Sequence, residues 1–198
     1  MANTGLTIVR SELILGGQKS GKSRRAELLA RDWLAQSTTH RAVFVATAQP
    51  GDEEMRMRIA RHQVDRAARV PGMATVEEPL ALAEKINELS RADTLLVVDC
   101  LTLWLTNWLM PATPVVQSQG VTTNRICEPT AMLLDAIAKA PGPLVLVGNE
   151  IGMGVIPMGA EVRSFVDALG QLNQQAAQKC QRVTLMAAGL ALTLKDDA

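Results

Sequence analysis

The chain has 198 residues, 47% hydrophobic and 20% charged, with 20 basic and 20 acidic side chains and a formal net charge of zero. The length suits one domain with a sizeable core, and the neutral balance argues against a protein that coats nucleic acid, which needs a basic excess against phosphate. Three scattered cysteines, Cys100, Cys127 and Cys180, and only two histidines offer neither a disulfide framework nor zinc-ligand spacing, so reduced thiols in a cytoplasmic protein are expected.

No basic, apolar leader opens the chain. Residues 1–10 are expected to form a poorly ordered extension, ahead of a single domain over residues 11–198. From there, apolar bursts of strand length alternate with segments of helical period. The expected strands are Glu12–Leu15, Ala42–Ala46, Ala74–Glu77, Thr94–Val98, Pro143–Val147 and Arg182–Ala187. The expected helices are Gly21–Ala35, Asp52–Ala68, Leu80–Ser90, Leu101–Met110, Pro129–Ala140 and Ala160–Lys179. This alternation predicts an α/β domain with a mostly parallel sheet flanked by helices. A last run, Leu190–Lys195, follows Gly189 too closely for another crossover and should return as an antiparallel hairpin strand. Leu95–Met110 is the most apolar stretch, but it is short for a membrane span and carries Asp99 and Asn107. It reads as a buried strand running into a helix, with Trp104 and Trp108 as core packing. Pro111–Thr130 shows no clean period and is long for a loop in a compact domain, which predicts a functional or mobile segment.

Gly16-Gly17-Gln18-Lys19-Ser20-Gly21-Lys22-Ser23 matches the phosphate-binding pattern G-x-x-x-x-G-K-[ST] without a mismatch, between a predicted strand and a predicted helix. Glycines let the backbone turn its N–H groups inward as a nest for phosphate oxygens, and the helix start adds its dipole. Lys22 should reach the β- and γ-phosphates, and Ser23 should hold Mg²⁺. The metal needs a carboxylate from a neighbouring strand. Asp99 supplies it, at the C-terminal end of an apolar run where ligands bind in open parallel sheets. A helix N-cap is the plainer role for Asp99, and the two roles are compatible.

Farther along, Asp52, Glu53 and Glu54 crowd a helix start, and arginines follow at 56, 58, 61 and 66. Met55, Ile59, His62 and Arg66 share one helical face, with Arg58 one turn before His62 and Asp65 one turn after. The arginines would favour a neutral, nucleophilic imidazole, and Asp65 could fix its tautomer. A histidine on a helix surface is otherwise ordinary, and His40, in a polar loop, carries no signal.

Together, the blocks "GGQKSGKS", "VFVATAQPGDEEMRMRIARHQVDR", "TVEEP", "LLVVDCLTLWLTN", "VLVGNEIGMGVIP" and "FVDALGQLNQQAA" resemble the bifunctional adenosylcobinamide kinase / adenosylcobinamide-phosphate guanylyltransferase family of cobalamin biosynthesis. The resemblance covers about Leu13 to Lys195. It implies a RecA-like P-loop NTPase sheet, a homotrimer, and two activities in one site. In the first, ATP or GTP phosphorylates adenosylcobinamide. In the second, GTP gives GMP to that phosphate, through a histidine–GMP intermediate whose matching position is His62. By the same matching, Ala46, Thr47, Ala48, Gln63, Val64, Asp65 and Arg66 would contact nucleotide, and Glu77 and Asp99 would contact guanine nucleotide or metal. Lys19 stands where the family often has arginine, and Val166 replaces an arginine of its "FRD" block. Two other readings stay open: another P-loop small-molecule kinase in which His62 is idle, and a nucleotide switch or RecA-like nucleic-acid module. Neutral charge and tryptophans in apolar settings speak against nucleic-acid stacking, and nothing marks loops ordered by a γ-phosphate.

Overall fold

The computed structural model describes residues 6–51, 53–111, 124–155 and 158–197. In chain order, the elements are β1 (Ser11–Gly16), α1 (Lys22–Leu34), β2 (Arg41–Ala46), α2 (Glu53–Arg69), β3 (Ala74–Glu77), α3 (Leu82–Leu89), β4 (Thr94–Asp99), α4 (Leu101–Leu109), α5 (Asn124–Lys139), β5 (Leu144–Val147), α6 (Ala160–Lys179), β6 (Arg182–Ala187) and β7 (Leu190–Asp196). The strands form one sheet in the order β3-β2-β4-β5-β1-β6-β7. All pairings are parallel except β6 with β7, which is antiparallel as expected from the short Gly189 turn. Among the described residues no helix is long and apolar enough to cross a membrane.

Alternation of side chains along each strand divides the core into two layers. Leu13, Leu15, Val45, Leu96, Val98, Leu144, Leu146 and Val183 face one layer with residues of α3, α4, α5 and α6. Ile14, Ala42, Phe44, Leu95, Val97, Val145 and Val147 face the other, against Ala26, Leu29 and Ala30 of α1 and Val70 just past α2. Strands buried on both faces carry near-continuous apolar runs, which is why they stood out in the sequence. The register brings Glu77 opposite Ala46, Ala46 opposite Asp99 and Asp99 opposite Val147, so these residues form one row at the C-terminal edge of the sheet.

Two expectations need correction. α5 begins at Asn124, not at Pro129, which lies inside the helix. Proline favours a first helical turn, and that preference suggests a start one turn too late. The stripe Ile126, Leu133 and Ile137, all buried, continues upstream of the proline and holds the extra turn on the core. The rest of the unpatterned segment, residues 112–123, lies outside the described residues. At the N-terminus, residues 6–10 are docked, not loose. Leu6 N–H donates to Asp32 Oδ2 (3.0 Å), Arg182 Nη1 donates to the Thr7 carbonyl (2.8 Å), and Arg10 N–H donates to Gln181 Oε1 (3.0 Å). Residues 1–5, Asp52 and the side chain of Arg58 lie outside the described residues.

Candidate active site

β1 delivers the chain to the glycine-rich loop, and each glycine there has a distinct task. Gly16 has φ +150°, and a side chain on it would run into the Met186 carbonyl of β6 and lie 2.7 Å from Ser20 Oγ. Gly21 has φ +105°, and a side-chain carbon on it would lie 3.3 Å from the Gly189 Cα of the β6–β7 turn. Lys19 takes a left-handed conformation (φ 56°) between them. Alternation of this sort turns successive N–H groups toward one point. The β6–β7 turn also supports the loop from behind, since Gly189 N–H donates to the Ser20 carbonyl (3.0 Å). Gly17, Gln18 and Lys19 are exposed at the mouth, whereas Ser20 and Lys22 are buried. Buried Ser20 Oγ has no hydrogen-bond partner among the described residues.

Lys22 Nζ donates to the Gly17 carbonyl (2.6 Å), so the ammonium lies back across its own loop. Burial lowers its pKa, opposed by the nearby charges of Asp99 and Cys100. Ser23 Oγ donates to Asp99 Oδ2 (2.6 Å), joining the start of α1 to the end of β4. Burial pushes the Asp99 carboxyl above the ordinary carboxylate range, and the Ser23 hydrogen bond and the charges of Lys22, His62 and Arg66 pull it partway back. Lys22, Ser23, Asp99, His62 and Arg66 therefore share one electrostatic neighbourhood, although they come from three separate segments. The N-cap of α4 is Cys100, whose Sγ accepts from Leu103 N–H, so Asp99 is not the cap.

Thr47 is wholly buried, and its groups are already engaged. Its Oγ1 donates to the Cys100 carbonyl (2.8 Å) and accepts from Cys100 N–H (2.7 Å), and its N–H donates to the Asp99 carbonyl (3.2 Å). Thr47 thus ties the ends of β2 and β4 together, with half-buried Ala46 and Ala48 on either side. Asn107, which the sequence reading passed over, completes this tie by donating from Nδ2 to the carbonyls of Thr47 (2.8 Å) and Pro79 (3.0 Å). Its only signal was an amide in a mostly apolar helix.

α2 is anchored through its C-terminal half. Arg66 lies over the Phe44 ring at 3.8 Å and donates to Thr75 Oγ1 (3.1 Å), and Arg69 pairs with buried Glu27 of α1. Asp65 pairs with Arg69 at 3.5 Å, so its carboxylate is directed along the helix toward an arginine. His62, Gln63 and Val64 are exposed on the preceding turn, and Glu77 is exposed at the end of β3. The other histidine has a structural setting: His40 stacks on Trp33 at 3.6 Å. Trp104 is core and donates from Nε1 to the Leu80 carbonyl (2.9 Å), and with Trp108 it also lines a cavity of about 300 Å³.

The donors gathered here suit a small hard cation. A hydroxyl and a carboxylate converge beside a phosphate nest, which is the oxygen set Mg²⁺ takes together with substrate phosphates. The arrangement can hold a nucleoside triphosphate, neutralise its phosphates and present an imidazole from α2 on the side of Asp99.

Residues 12–194 match the family model described as cobinamide kinase / cobinamide phosphate guanyltransferase. The chain is 45% identical over 187 residues to the bifunctional adenosylcobalamin biosynthesis protein CobP of Pseudomonas aeruginosa, covering 94% of this chain and 98% of that one. It is 32% identical to the Escherichia coli K12 protein of the same description, CobU, covering 92% and 98%. Among solved structures, an ATPase domain is similar with a TM-score of 0.53 at 10% identity, covering 95% of this chain and 77% of that one. A protein of Pyrococcus horikoshii OT3 has a TM-score of 0.52 at 11% identity, covering 98% and 90%. These structural likenesses show the fold, a mostly parallel sheet flanked by helices, and no more than that.

Proposed function

The chain belongs to the cobinamide kinase / cobinamide phosphate guanyltransferase family, and from that membership we propose that it catalyses two successive transfers on adenosylcobinamide. ATP or GTP first phosphorylates the substrate's hydroxyl. GTP then gives GMP to the new phosphate, yielding adenosylcobinamide-GDP and pyrophosphate. The observation that carries this reading is the joining of a complete phosphate loop to the Asp99 carboxylate through the Ser23–Asp99 hydrogen bond, with Arg66, one turn past His62 on α2, packed on Phe44 of the neighbouring strand.

In the first transfer the loop amides of residues 16–23 hold the triphosphate, and Lys22 leaves the Gly17 carbonyl to meet the phosphoryl oxygens. Positioning and electrostatics of this kind supply most of the catalysis in phosphoryl transfer. Ser23 and Asp99 would hold Mg²⁺, which supplies charge neutralisation to the phosphate oxygens when bound. In the second transfer a ring nitrogen of His62 attacks the α-phosphorus of GTP. The N–P bond forms as the bond to the β-phosphate oxygen breaks, and pyrophosphate leaves with the electron pair. An oxygen of the substrate phosphate then displaces the imidazole, which restores the histidine. Ala46, Thr47, Ala48, Gln63, Val64, Asp65, Arg66 and Glu77 form the walls on the nucleoside side of this site. The protein works in the cytoplasm as a homotrimer, and light scattering would report the trimer directly.

The test is intact mass after incubation with GTP and Mg²⁺, followed by separation of products formed from adenosylcobinamide. Wild-type protein should carry a GMP adduct that is acid-labile and base-stable, as a phosphoramidate is. His62→Ala should lack the adduct and accumulate the phosphate without the GDP product. It should also stay folded, because alanine is the better helix former by roughly 0.5 kcal/mol. Formation of the GDP product by His62→Ala at the wild-type rate would leave a P-loop kinase with an idle histidine, and the covalent step would be abandoned.

A further inference from the structure

β5 lies between the strand that carries the phosphate loop and the strand that carries Asp99. Its continuation, residues 148–150, stays on the β1 ladder beyond the end of the strand. Gly148 N–H donates to the Ile14 carbonyl (2.9 Å), and Glu150 N–H donates to the carbonyl of Gly16 (3.1 Å), the first glycine of the loop. The backbone of a second acidic residue thereby lies level with the first glycine of the phosphate loop, and the two transfers described above leave it without a role.

The turn that carries it is held from two sides. Thr102 Oγ1 of α4 accepts from Asn149 N–H (2.9 Å). Asn173 of α6, only 4% exposed, donates from Nδ2 to the Asn149 carbonyl (3.0 Å) and reaches Glu150 Oε2 at 3.5 Å. Glu150 Oε1 accepts from Gly152 N–H (3.2 Å). A cleft of about 570 Å³ opens at the next residue, between residues 151–155 and the face of α6 that carries Arg163, Asp167 and Gln171. The cleft begins at Ile151, one residue past Glu150, so an acceptor seated in it lies beside the turn that carries that carboxylate.

We propose that Glu150 is the general base of the kinase step and that the cleft beside it receives the acceptor. The inference rests on the two-step reading above. The acceptor oxygen attacks the γ-phosphorus while its O–H bond breaks and the proton passes to a Glu150 carboxylate oxygen. The bond from the γ-phosphorus to the bridging oxygen breaks, and the nucleoside diphosphate leaves with the electron pair. The glutamic acid then returns its proton to water. Asn173 and Thr102 are positioning residues, acting only through the turn that carries Glu150.

The two steps make different demands on a base, and this gives a sharp test. A hydroxyl must lose a proton, whereas a phosphate acceptor is already ionised. Glu150→Gln keeps the shape and an oxygen for Gly152 N–H, removes the basicity, and turns the oxygen facing Asn173 Nδ2 into an N–H donor. The kinase kcat with adenosylcobinamide should fall by about 10²-fold or more, the usual contribution of a positioned base. GMP transfer to supplied adenosylcobinamide phosphate, measured on the same preparation, should stay within about twofold, since that step has no proton to remove. That second activity also certifies the fold. A kinase rate within a few-fold of wild type would overturn the proposal, and so would an equal loss of both steps, which would assign Glu150 to supporting the turn through Gly152. Wild-type protein lacking both activities would instead overturn the reading on which the proposal rests.

Discussion

Replacing Asp99 by asparagine separates what the site needs for catalysis from what the fold needs for stability. The carboxyl at the end of β4 is pushed up by burial and only partly restrained by Ser23, Lys22, His62 and Arg66. An acid whose folded pKa is raised costs stability wherever the unfolded chain is ionised. Below the unfolded pKa of about 3.9 both states are protonated and nothing is lost. As pH climbs through that value the unfolded chain loses its proton first and gains, and the penalty is complete once the folded pKa is passed. Asparagine removes the charge and keeps an oxygen for the Ser23 hydroxyl. The hydrogen bond weakens from about 1.5–3 kcal/mol with a charged acceptor to about 0.5–1.5 kcal/mol with a neutral one. Relief of the buried charge offsets this, and the net expectation is a gain of about 0–2 kcal/mol near neutral pH. For a chain of this size that is a rise in Tm of roughly 0–6 °C. Melting curves without nucleotide at pH 7 and near pH 4 would read it, and the advantage of the variant should shrink at the lower pH. Turnover should move in the opposite direction, by about 10²-fold or more, because an amide brings no charge to the cation. A variant clearly less stable than wild type at pH 7 would mean that the carboxylate is held by favourable partners, not tolerated for function. An unchanged magnesium dependence would remove Asp99 from the metal site.

Lys22→Ala should abolish kinase turnover, by about 10³-fold, with the fold retained, and a near-normal rate of adenosylcobinamide phosphorylation would show that the nucleotide lies elsewhere. Gly16→Ala should cost about 2–4 kcal/mol, because the added carbon meets the Met186 carbonyl and Ser20 Oγ at a positive φ. A melting temperature unchanged by that substitution would mean that β6 does not press on the loop. Burial pushes the Cys100 and Cys180 thiols up to about 12, while Cys127 is exposed. A maleimide near pH 7.5 should therefore label Cys127 in native protein and all three cysteines only in denaturant, with peptide mapping as the readout.

Much of the fold was readable in the order of residues because local rules and tertiary demands coincide there. Strands buried on both faces need continuous apolar runs, so β1, β4 and β5 appear as such runs. The phosphate loop is fixed by adjacent residues and keeps its geometry wherever it is placed, so Gly16 to Ser23 and the start of α1 were evident. α5 was harder, because Pro129 carries a local signal for a helix start that the buried stripe from Ile126 onward overrides. The docking of residues 6–10 depends on Asp32, Gln181 and Arg182, which lie far away in sequence, so no local pattern could announce it.

What the sequence determined by itself was the phosphate loop, the alternation that makes a parallel sheet, and the family to which the blocks belong. Only the tertiary structure decided the strand order, and with it which residues meet at the loop. Asp99 reaches Ser23 across 76 positions, Gly189 supports Ser20 from a hairpin at the far end of the chain, and Glu150 comes level with Gly16. Asn107, Thr102 and Asn173 were passed over for the same reason. A single polar residue on a helix has no periodic or motif signature, and its purpose lies in the groups that folding brings within reach of its side chain.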